Sequence, residues 1–119
     1  DRVVEDLSVS ALRDVVERIR VEDELREYIV DLGRATREDF RVNVGVSPRG
    51  VQRLFEAARA RTVMSGREYL VPDNVKAVVH SVFDHRIVLT SEASIKGQTK
   101  AEIVSEVCES VDVPAMPKQ

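Results

Sequence analysis

Ser47, Pro48 and Arg49 stand together in the stretch GVSPRGVQRL, and their types and order bear on anion chemistry. A serine followed by a proline reads as a helix start. The serine hydroxyl accepts a hydrogen bond from a first-turn N–H, and proline at the first helical position loses nothing by lacking its own. Arg49 then falls in the first turn, where the helix dipole already carries partial positive charge and a cation is disfavoured by about 0.3–1 kcal/mol. An anion reverses that sign, because unsatisfied N–H groups, the dipole and a planar five-donor guanidinium would converge on one phosphate. These residues alone leave two readings open: an anion site, or a surface arginine in a tolerant position.

Other chemistry is thinly represented. His80 and His85 are separated by about 500° of helical rotation, so they do not share a face as an i, i+4 ligand pair would. The 21 carboxylates fall on polar helix faces, where a solvated surface accounts for them. Cys108 stands alone beside an apolar stripe and reads as a semi-buried structural thiol. The chain contains no G-x-x-x-x-G-K-[ST] phosphate loop, no G-x-G-x-x-G, no H-E-x-x-H and no second cysteine, so self-contained catalysis is not expected.

The elements that must position Arg49 follow from periodicity. The 119 residues are 43% hydrophobic and 33% charged, with two Tyr, three Phe and no Trp, which fits one globular domain with a core of Val, Leu, Ile and Ala. Ser10 reads as the cap of a first helix whose Leu12, Val15, Val16 and Ile19 form the buried face. A second, with Leu25, Tyr28, Ile29 and Leu32 inside and Glu22, Asp23 and Glu24 in its first turn, is expected to end near Thr36. FRVNVGV alternates apolar and polar residues and suits either a short strand or an extended loop.

The third helix runs from Pro48 to about Ser65, with Gly66 just beyond it. On its projection Val51, Leu54, Phe55 and Ala58 fall within about 140–240° of Arg49, while Arg53 lies about 40° from it. These four side chains therefore define the inner face, and both arginines point away from it. After an extended REYLV, Pro72 and Asp73 open a fourth helix with Val75, Val78, Val79, Val82 and Phe83, ending near His85. RIVL reads as a brief strand and TSEASIKGQ as a loop. Thr99 and Glu102 then form a capping box for a fifth helix carrying Ile103, Val104, Val107 and Val111. The expected fold is mainly α, a compact bundle of about five helices with at most a short β pair.

A net charge of −3, spread along the chain, argues against a broad nucleic-acid surface. A DNA-binding helix bearing Arg49, Arg53, Arg59 and Arg61 is an alternative, weakened because Arg59 and Arg61 flank the inner face; a protein-interaction module without a nucleotide role is another. No run approaches the roughly 20 apolar residues of a membrane span, and the single cysteine fits a reducing compartment, so a cytoplasmic protein is expected. The start at Asp1 without a lead-in and the tail SVDVPAMPKQ suggest a C-terminal domain, residues 1–119, of a longer protein.

GVSPRGVQRLFEAARARTVMSGREYLVPDNVKAVVHSVFDHRIVL resembles the helical lid of MoxR-type AAA+ ATPases: a Gly-x-Ser-Pro-Arg segment opens a helix, Ala-Arg-Ala follows, then Gly-Arg-x-Tyr-x-x-Pro-x-x-Val and a His-Arg pair. Upstream, YIVDLGRATRE resembles the family's preceding helix, so the likeness covers about Val21 to Leu89. The resemblance implies that Arg49 is the sensor-2 arginine reaching the phosphates of ATP, with Ser47 and Pro48 shaping the helix start. It further implies an α/β ATPase domain upstream that holds the phosphate loop and Mg²⁺, a homo-oligomeric and commonly hexameric ring, and chaperone-like work with von Willebrand A domain partners. The full-length protein would hydrolyse ATP, whereas this segment alone would hold no cofactor and catalyse nothing. Neither nucleic acid nor membrane is among the implied partners. Arg53 lies outside the motif and is open to two readings, a second phosphate contact or a bystander, of which the bystander is favoured.

Overall fold

Helical periodicity is realised along residues 2–115, the part of the chain that the computed structural model describes, with side chains described from Ser10 onward. In chain order the elements are α1 (Arg2–Glu17), α2 (Asp23–Glu38), β1 (Val42–Val44), α3 (Pro48–Met64), α4 (Pro72–Phe83), a 3₁₀ turn (Asp84–Arg86), β2 (Val88–Leu89), α5 (Ser91–Ile95) and α6 (Lys100–Ser110). The expected mainly α architecture with one small β pair is what forms. Of the proline-bearing tail, 112–115 carry no helix or strand, and residues 116–119 lie outside the described part.

One core joins four helices. Leu25, Ile29 and Leu32 of α2 meet Leu54 and Ala58 of α3, Val75, Val79 and Phe83 of α4, and Ile103, Val104 and Val107 of α6. Each large apolar side chain taken out of water there contributes about 1.5–3 kcal/mol before the entropy of ordering it is set against it. The connecting segments also contribute, through Val46, Leu70 and Ile87. Strands β1 and β2 are antiparallel, with Val42 opposite Leu89 and Val44 opposite Val88, so the segment entering α3 is tied to the segment leaving α4. The extended REYLV stretch also pairs: the Arg20 N–H donates to the Glu68 carbonyl at 3.0 Å, and the Leu70 N–H donates to the Arg20 carbonyl at 2.9 Å.

Three local expectations differ from the structure. Ser10 does not cap a helix, because α1 already runs from Arg2. A serine cap is a preference of about 1 kcal/mol, and helical residues on its N-terminal side override it. Of that helix's expected inner face only Ile19, which follows the helix, is buried; Leu12 is 57% exposed and Val15 44%. The stretch expected as a loop after RIVL contains α5, where the Thr90 hydroxyl accepts from the Ala93 N–H at 3.1 Å and Ala93 is buried. One cap and one buried anchor are enough for that single turn. Elsewhere the boundaries hold closely: α2 ends at Glu38, α4 passes into the 3₁₀ turn containing His85, and Gly66 follows α3 with φ +77°, a conformation that favours glycine.

Candidate functional site at the start of α3

The Ser-Pro pair opens α3 as its residue types dictate. Ser47 is extended, its hydroxyl accepts from the Gly50 N–H at 3.2 Å, and Pro48 occupies the first turn. Since Pro48 has no N–H and Gly50 is already bonded, the N–H groups of Ser47 and Arg49 are the first-turn donors without a partner among the described residues. Arg49 itself is exposed, on the side away from buried Leu54 and Ala58. The open donors are thus fewer than the bare helix end suggested: one belongs to Arg49 itself and the other to the cap residue two positions before it.

The end of α2 fixes the residue before this start from both sides. Thr36 accepts from the Val46 N–H at 2.9 Å while donating to the Gly33 carbonyl at 2.6 Å, and Arg37 donates to the Val46 carbonyl at 2.7 Å. Val46 therefore has both backbone groups held by one helix end, and Ser47 leaves it in a set direction. The approach is so close that a Cβ on Gly45 would stand 2.6 Å from Arg37 Cα and 2.7 Å from its backbone nitrogen. On the other side, a Cβ on Gly50 would stand 2.5 Å from Val46 Cγ1 and 3.2 Å from Arg86 Cδ. The Arg86 stem thus runs alongside the first turn, delivered there by the 3₁₀ turn and β2. Sequence reasoning singled out none of Thr36, Arg37, Gly45 and Gly50 for this role, and placed Arg86 only within a motif.

Among the described residues no carboxylate lies within ion-pair distance of Arg37, Arg49 or Arg86. All the groups gathered here donate, which suits phosphate oxygens and would suit a metal ion poorly. Arg53 is engaged elsewhere, paired with Glu56 at 3.1 Å. Arg26 and Arg59 sit over the Phe55 ring, at 5.1 and 5.7 Å. These engagements break up the arginine row that a DNA-reading helix would need.

Away from this end, His80 Nδ1 lies 2.9 Å from Asp84 Oδ1, and its Nε2 lies 3.0 Å from the Ser105 hydroxyl. The order Ser-His-Asp is that of an acyl-transfer triad, but Ser105 sits within α6, where helix bonding occupies the neighbouring N–H groups and leaves none to hold an oxyanion. The network joins α4 to α6. His85 stands apart from it in the 3₁₀ turn, and no group of three or more metal-ligating side chains occurs among the described residues. Burial, reinforced by the Asp84 carboxylate, pushes the Cys108 thiol up to about 11, which makes it a poor nucleophile.

A mainly helical domain with one short antiparallel strand pair is the fold of an AAA lid. Residues 34–107 match the family described as "AAA lid domain", and the chain belongs to that family. It is a lid of the MoxR type: it is 38% identical to Protein MoxR of Methylorubrum extorquens over 77 residues, covering 64% of this chain and 22% of that protein. Chaperone MoxR1 of Mycobacterium tuberculosis is 28% identical, with 91% of this chain and 32% of that protein covered. The uncharacterized protein YeaC of Bacillus subtilis is 36% identical over 103 residues, 87% of this chain and 32% of that protein. A crystal structure of a candidate ATPase from Cytophaga hutchinsonii superposes with a TM-score of 0.82 at 26% identity, over 87% of this chain and 34% of that one. The chain thus spans about a third or less of the length of these relatives. No helix among the described residues is long and apolar enough to cross a membrane.

Proposed function

We propose that this chain senses nucleotide as the lid of a larger, cytoplasmic MoxR-type ATPase, with Arg49 on the terminal phosphate of ATP. The observation that carries the reading is the exposed guanidinium in the first turn of α3, on a helix start where, among the described residues, the Ser47 and Arg49 N–H groups have no partner and no carboxylate pairs with Arg49. Ser47 and Pro48 hold the helix start, and Thr36 with Arg37 holds the residue before it. Phosphate chemistry and Mg²⁺ belong to an α/β domain of the same polypeptide, since this segment has no phosphate loop. Contact with the terminal phosphate couples its presence to lid position, and its loss releases the lid to rotate. In a homo-oligomeric ring that rotation drives chaperone-like work on a partner carrying a von Willebrand A domain.

Arg49→Ala in the full-length protein is expected to lower kcat/KM for ATP by about 10²-fold, the scale of losing one preorganised charge-stabilising donor. An exposed side chain of this kind changes fold stability by no more than about 0.5 kcal/mol. Steady-state turnover beside thermal unfolding checks both, and unchanged turnover would favour a lid that only binds other proteins.

A further inference from the structure

Arg86 is unused by the reading above, yet its Nε is buried and has no hydrogen-bond partner among the described residues. A buried donor left unmade costs about 1–3 kcal/mol, more when charged, so its presence calls for a partner. Its Cδ would stand 3.2 Å from a Cβ on Gly50, next after Val46 Cγ1 at 2.5 Å, so its stem runs along the first turn of α3. The same turn carries Arg49, and Arg37 closes on Val46 one residue before the cap. Three guanidinium groups around one positive helix end, with no carboxylate paired to any of them among the described residues, repel one another until an anion arrives.

We infer that Arg86, whose stem passes the first turn of α3 at Gly50, is a second phosphate-binding arginine at that helix start and engages the polyphosphate of a nucleoside triphosphate together with Arg49. The inference rests on the phosphate reading of Arg49 and adds a residue from a different element. The 3₁₀ turn after α4 thereby becomes part of the nucleotide site, so that phosphate would hold two segments of the lid at once. Arg86 is a binding residue in this account, and Gly50 is a positioning residue that acts through it.

The test is equilibrium binding of ATP and ADP to the full-length protein carrying Arg86→Met, which keeps an apolar stem against Gly50 and removes the guanidinium. Arg86→Lys, Gly50→Ala and Arg49→Ala are measured beside it. The expected result is about a tenfold or greater loss of ATP affinity for Arg86→Met, partial recovery with Arg86→Lys, and an unfolding midpoint near that of the parent. Gly50→Ala should also weaken ATP, because its methyl would meet Val46 Cγ1 and crowd the Arg86 stem. If Arg86→Met binds ATP like the parent while Arg49→Ala is weakened, Arg86 is overturned and the Arg49 reading stands. If neither substitution changes affinity, both fall. Should Arg86→Met not fold, Arg86→Lys decides: affinity equal to the parent's would contradict the inference, and a loss would support it.

Discussion

Arg49 occupies a position its own helix disfavours, and that local conflict was readable because every part of it lies within four residues. Ser47, Pro48 and the following apolar spacing point to the cap, the first turn and the outward direction of Arg49, although the end of α2 also holds the residue before that start. Arg86 gave no comparable signal: its stem reaches Gly50 through a chain reversal that no local pattern encodes. Cys108 was legible for the opposite reason, since its place beside the stripe of α6 already implied burial. With its thiol pushed up to about 11, it should react with a maleimide at pH 7.5 more than tenfold more slowly than free cysteine, whose pKa is near 8.5. A rate matching that of free cysteine would show the thiol to be accessible and ionised, against this account.

At the scale of elements, α3 starts where it does because α2 ends where it does. Thr36 and Arg37 satisfy both backbone groups of Val46, and Gly45 permits the approach. Gly45→Ala places a methyl against the Arg37 backbone, which cannot rotate aside as a side chain could. The expected loss is about 1–3 kcal/mol of stability by chemical denaturation, in the range of overpacked sites. A loss under about 0.5 kcal/mol would mean that the two segments are less closely joined than the structure has them. Sequence periodicity recovered the four core helices and their inner residues, because an amphipathic stripe records burial directly. It could not recover the clamp, whose partners are ten positions apart across a turn, nor α5, whose five residues are too few to show a period. The stripe of α1 was visible but largely uncovered, which shows that periodicity reports a face suited to burial and not what covers it.

Across the whole molecule, the extents of 50 × 40 × 20 Å make a slab about two helix diameters thick, with one core running through α2, α3, α4 and α6. Arg41 holds that slab together at β1: it donates from Nε and Nη2 to Asp39, at 3.0 and 2.8 Å, and from Nη1 to Glu106 of α6. Bonding to Arg41 lowers the Asp39 pKa against the opposing effect of burial. A depressed carboxylate stabilises the fold fully above its unfolded pKa near 4, and that contribution is lost as pH falls through the lower folded value. Unfolding free energies of the parent and Asp39→Asn should therefore differ by about 1–3 kcal/mol at pH 7 and converge below pH 4, whereas a gap independent of pH would contradict the ion pair's role. The proposed role of Arg49 is tested most directly at the phosphate itself. The most direct measurement compares the affinities of a non-hydrolysable ATP analogue and of ADP for the full-length protein with and without Arg49→Ala. The account predicts that the parent prefers the triphosphate and that the substitution removes most of this preference, with ADP affinity changed much less. An undiminished preference in Arg49→Ala would contradict it.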